Sequence, residues 1–175
     1  RADRPAATQV FEVAGAGIGP EEYALGFLLR AAETIQQVNE AMSSAGIECL
    51  CPSDFQDAAN RSLFESAQAV GSADRLTLRS SLSAPLRQRY DEVQRLWADT
   101  PEVDDRVLAR DGVTACLRVR ERRLRSQLRL LEQAVKEVES QEERKSLETA
   151  IGLTTRHVLL LSRALAQRSS LRAKS

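Results

Sequence analysis

Aromatic side chains are scarce: they make up 4% of the 175 residues, as four Phe, two Tyr and one Trp. A core with so few rings has to be aliphatic, built from Leu, Ala, Val and Ile, and that suits packed helices better than sheets. There is one histidine, His157, and three cysteines, Cys49, Cys51 and Cys116. A lone Cys-x-Cys pair, with the other Cys and the His far along the chain, does not make a four-ligand zinc site. Cys49 and Cys51 are too close for an easy bridge, and no secretory signal precedes them. They read as reduced thiols in a cytoplasmic protein and as small apolar plugs. No apolar run approaches the roughly 20 residues that a membrane span needs. No metal, cofactor, small-molecule ligand or membrane contact is expected. The chain also lacks an initiator Met, which reads as a piece cut from something longer.

The five prolines and eight glycines fall mostly between periodic runs, as punctuation. Residues 1–17, including most of "GAGIGP", read as a linker. Those glycines have no preceding strand and no Lys or Ser/Thr placed for a phosphate loop. A helix opens at Pro20, with Glu21 and Glu22 in its first turn and Leu25, Leu28 and Leu29 as its stripe. A second carries Ile35, Val38 and Met42 and stops near Gly46. Ser53 with Gln56 suggests a capping box before a short turn, and Leu63, Phe64, Ala67 and Val70 mark a third helix. Two shorter helices are expected near 73–82 and 84–98, the latter opened by Ser83, Ala84 and Pro85.

Thr100 and Pro101 then start a helical pattern that runs to about residue 139, interrupted only by Gly112. At about 1.5 Å per residue it would exceed 50 Å, whereas a compact domain of this size is little wider than roughly 30 Å. Part of it must leave the first core. Leu117, Leu124, Leu128, Leu131, Val135 and Val138 form one heptad seam, and Leu147, Ile151, Thr154, Val158, Leu161 and Leu165 form another. Ser140 and Glu143 make a capping box in the short connection between them, which predicts an antiparallel helical hairpin. The expected fold class is all-α: a multi-helix bundle over 18–112, a long connecting helix, a hairpin over 113–168 and a tail over 169–175.

No catalytic set emerges. Asp104 and Asp105 are adjacent, so they diverge on a helix and suit its N-terminus better than acid-base work. His157 has no nucleophile arranged beside it. Charge is unevenly spread: residues 1–103 hold 9 Lys/Arg against 15 Asp/Glu, and residues 104–175 hold 16 against 10. Six arginines, Arg118, Arg120, Arg122, Arg123, Arg125 and Arg129, lie within twelve residues. They read as wrapping several sides of the helix, with no aromatics for base stacking, so a solvated face with ion pairing is favoured over nucleic-acid contact. A nucleic-acid-binding helical module using 118–129 is the alternative reading. Leu130, Leu153, Leu159 and Leu160 fall off the seams, where a two-helix hairpin has no second layer to cover them.

Taken in order, these stretches resemble the C-terminal domain of bacterial (DnaG-type) DNA primase. "EEYALGFLLRAA" is similar to that family's opening helix. "DFQDAANRSLFES" resembles its most recognisable stretch, and "LSAPLRQRYDEVQRL" with the region from Val113 to Leu165 resembles its later helices and terminal hairpin. The likeness covers about residues 18–168. It implies a helical bundle, a connecting helix and a projecting hairpin that tethers primase to the N-terminal collar of the hexameric DnaB-type replicative helicase, coupling primer synthesis to unwinding. The family's zinc-binding domain and polymerase core lie upstream, so this piece is expected to be non-catalytic. Helix-face geometry, not a family motif, singles out Leu130, Leu153, His157 and Leu160, with Arg156 at the edge, as partner-binding residues.

Overall fold

The computed structural model describes residues 19–30, 32–70, 75–98 and 104–172. Among them are seven α-helices and one 3₁₀ turn, and no strand: α1 (Pro20–Leu28), α2 (Ala32–Ser44), the 3₁₀ turn (Pro52–Asp54), α3 (Ala58–Val70), α4 (Arg75–Ser81), α5 (Ala84–Ala98), α6 (Asp105–Glu137) and α7 (Gln141–Arg172). The all-α class holds. The linker expected over 1–17, the cap at Thr100 and Pro101, and residues 173–175 of the tail lie outside the described residues. Residues 169–172, assigned to the tail, continue α7.

Most helix ends fall where the chain punctuates itself. Pro20 starts α1 with Glu21 and Glu22 in the first turn. Gly46, at φ +73, turns the chain out of α2, with its N–H donating to the Ser43 carbonyl at 2.9 Å. The Ser83 carbonyl accepts from the Arg87 N–H at 2.8 Å at the start of α5. Asp104 caps α6 by accepting from the Arg106 N–H at 2.8 Å. The cap expected from Ser53 and Gln56 is not the one that forms. Asp57 Oδ1 accepts from the Asn60 N–H at 2.9 Å and opens α3. Ser53 sits inside the short 3₁₀ turn with its hydroxyl 3.1 Å from Cys51 Sγ, and that turn is instead boxed by Cys51, whose N–H donates to Asp54 Oδ2 at 2.8 Å.

The core is aliphatic with a few rings, and Leu25, Leu28, Val38, Met42, Phe55, Leu63, Phe64 and Val93 are among its most buried members. Phe55 and Phe64 pack with ring centroids 5.1 Å apart. Helix α6 is the spine, and α1 and α2 both lie against it. Gly112 does not interrupt it. A Cβ there would run into the Phe27 ring, so glycine is what lets α1 approach α6.

At 33 residues, α6 is about 50 Å long. No break falls at 112, where the sequence pattern divided bundle from hairpin. Val113, Ala115, Cys116, Leu117, Val119, Arg120 and Leu124 are all buried. Beyond Leu124 on α6 and before Thr154 on α7, no residue is fully buried. The two helices turn at residues 138–140 and run antiparallel, as the paired seams predict. Ser162 of α7 donates to Glu121 of α6 at 2.8 Å, and Thr154, Val158 and Leu161 are buried along the contact. Farther out, Leu128, Leu131, Val135, Leu147 and Ile151 are half-buried, because two helices cannot enclose a seam by themselves.

Candidate partner-docking surface

The foot of the arm is locked to the bundle by a buried ion pair. Arg120 Nη1 donates to Asp54 Oδ2 at 2.7 Å and to Oδ1 at 2.9 Å. Both residues are almost wholly buried, at 2% and 1% exposure. The 3₁₀ turn aims the carboxylate, and Oδ2 also accepts from the Cys51 N–H at 2.8 Å. Burial pulls the Arg120 guanidinium pKa down, but the Asp54 carboxylate, together with Cys51, offsets this and holds it raised. Arg123 adds a longer contact to Asp54, at 3.4 Å. Asp54 and Asn60 thus have structural roles. Asp54 anchors α6. Asn60 accepts from Arg89 Nε at 3.0 Å and donates to Glu21 at 3.3 Å, joining α3, α5 and α1.

The arginine run therefore divides. Arg120 and Arg123 turn inward to Asp54. Arg118, Arg122, Arg125 and Arg129 follow one another at steps of four, three and four, which puts all four on one stripe of α6. Read as six, they wrap the helix; with two claimed by Asp54, the remainder line one side. Arg125 reaches back to Glu121 at 2.8 Å and stays 58% exposed, and Arg122 and Arg129 are exposed.

Leu130, Leu153 and Leu159 are the exposed large hydrophobics among the described residues, at 67%, 55% and 55%. They do not form one patch. Leu130 lies seven residues beyond Arg123 and so continues the bundle-facing side of α6 past the end of the bundle. Leu153 lies seven residues before Leu160, which is half-buried and packs back on the core beside Gly46, 3.9 Å from where a Cβ there would stand. Both leucines thus stand on the same flank. The Glu121–Ser162 contact also puts them at the same level of the arm, each nine residues farther out. Leu159 faces the other flank, one turn before Ser162 and beside the arginine stripe.

Of the residues singled out from sequence, Leu130 and Leu153 are both exposed and, by helical spacing, fall on the same flank at the same level of the arm. Arg156 is exposed and His157 is half-buried on the next turn. Leu160 is half-buried too, packed against the core near Gly46. Helical spacing cannot show where a neighbouring subdomain ends. Cys116 is buried as a core plug, with its thiol pKa pushed far up by burial. Cys49 is exposed and Cys51 half-buried, so neither is the apolar plug expected. No helix among the described residues is long and apolar enough to cross a membrane.

No family model, curated protein or solved structure compared with the chain matches it.

Proposed function

We propose that this chain is a helicase-docking module of a DnaG-type DNA primase, and that the outer part of its hairpin is the docking arm. The observation that carries this reading is that Leu130 and Leu153 are both exposed on one flank of an arm that leaves the core after Leu124. Two leucines on one flank of the antiparallel hairpin suit a partner's helical surface, where burying each leucine stabilises the complex by roughly 1.5–3 kcal/mol. The buried Arg120–Asp54 pair fixes the rotation of α6, and with it the direction in which that pair points. The order of the stretches that resemble the primase C-terminal domain supplies the partner: the N-terminal collar of the hexameric replicative helicase. In this reading the module catalyses nothing, and it couples RNA primer synthesis by its parent primase to unwinding at the fork.

Co-elution of the full chain with the replicative helicase of the same organism tests this. A stable complex that Leu130→Asp with Leu153→Asp abolishes, at unchanged helicity, supports the reading. Failure of the unaltered chain to co-elute removes the helicase as partner. Unaltered binding by the double variant removes this flank as the site.

A further inference from the structure

The arginine stripe lies on the flank opposite Leu130 and Leu153, and helicase docking leaves it unused. Its outer members, Arg122, Arg125 and Arg129, span seven residues of helix, about 10 Å of rise. The adjacent side of α7 carries Thr155, Leu159, Ser162 and Ala166, by their spacing from the Ser162–Glu121 contact. From residue 149 to 172, α7 contains no Asp or Glu at all. On α6 the only acid between 112 and 131 is Glu121, which Arg125 and Ser162 already engage. Glu132, three residues beyond Arg129, is the next acid on that side of α6, and the other acidic side chains of the arm gather near its tip, at Glu137, Glu139, Glu142, Glu143 and Glu148. The shaft thus presents a row of guanidinium groups with uncharged α7 side chains alongside and two carboxylates, Glu121 and Glu132, at its edge.

We propose that this stripe binds the phosphodiester backbone of a nucleic acid. The spacing favours this over an acidic protein. Three cations within about 10 Å call for anions every few ångström along one line, and each strand of a duplex supplies one per roughly 3.4 Å of axis whatever its sequence. A protein helix would need acids at matching i, i+3 and i+7 positions to do the same. Bases are not read. No Phe, Tyr or Trp follows Trp97 in the chain, so the arm offers no stacking platform, and affinity depends on charge density rather than sequence. Since the two flanks are opposite, phosphate contact is compatible with a helicase held on the other side, and neither depends on the other.

The test is fluorescence anisotropy of the full chain with a mixed-sequence DNA duplex, titrated across a range of salt. Three phosphate contacts, with Arg125 exchanging Glu121 for phosphate, give a slope of log K against log salt near −2.7, at about −0.9 per contact. Arg122→Gln with Arg129→Gln, both exposed and neither part of a core contact, should bring the slope to about −0.9. Arg122→Gln alone should fall midway, and a second, differently composed duplex should bind equally. Arg95→Gln with Arg163→Gln removes the same charge from other exposed positions and should leave the slope unchanged. No binding at low salt overturns the proposal, as does a slope indifferent to Arg122 and Arg129. An equal loss from the Arg95 and Arg163 pair overturns it too, by showing diffuse charge only. Binding of an oligoglutamate peptide in preference to the duplex overturns it in favour of an acidic protein partner.

Discussion

Arg120 and Asp54 meet inside the molecule, Nη1 to Oδ2 at 2.7 Å, with side chains 3% and 0% exposed. They stand 66 residues apart in the chain, and their contact joins the turn before α3 to the helix that becomes the arm. Removing one partner strands the other charge where water cannot reach it. Asp54→Ala should therefore cost about 3–5 kcal/mol in chemical denaturation. Replacing both, as Asp54→Leu with Arg120→Met, should recover most of that loss. A cost below about 1 kcal/mol for Asp54→Ala would mean that the pair does not lock the arm.

Gly112 gives a second prediction, with two opposing terms. Alanine is the better helix former by about 1 kcal/mol. Its Cβ, however, would overlap the Phe27 ring, and forcing the helices apart costs about 1–3 kcal/mol. The overlap wins, so Gly112→Ala should lower the melting temperature. If Gly112 were a hinge in open space, the same change would raise it.

Much of this architecture was legible in the chain. Leucine steps of three and four define both seams, and Ser140, Ser83 and Pro20 mark helix starts with local chemistry. What was not legible depends on partners distant in sequence. Nothing around Arg120 marks it as buried, because the carboxylate that pairs with it belongs to another element. Leu160 has the spacing of Leu153 but is half-buried, because it packs on the core near the residues that follow α2. The division at 112 looked natural because glycine often breaks helices, whereas here it admits a ring.

Leu160 and Leu153 therefore part company in stability. Leu160→Asp sets a charge against the core beside Gly46 and should destabilise by about 2 kcal/mol or more. Leu153→Asp is exposed and should stay within about 0.5–1 kcal/mol of the parent. Equal thermal melts for the two variants would contradict the placement of Leu160.

Cys116 links the core to pH. Burial raises its thiol pKa above the ordinary 9.0. The unfolded chain then loses the proton first, so the thiol's contribution is complete below pH 9 and declines as the pH climbs past it. Stability should fall by up to about 1.4 kcal/mol per pH unit in that range from this group. Cys116→Ala should flatten that part of the profile. In the native protein a thiol reagent should modify exposed Cys49 at once and Cys116 only on unfolding.

Docking rests most heavily on the open leucine pair at the outer arm, and titration calorimetry with the replicative helicase tests it most directly. The unaltered chain should bind, and Leu130→Asp with Leu153→Asp should weaken binding by at least about 100-fold, since losing two buried leucines removes about 3 kcal/mol or more. Circular dichroism should show the same helicity for both proteins. An affinity for the helicase that the double substitution leaves intact would contradict that role for the pair.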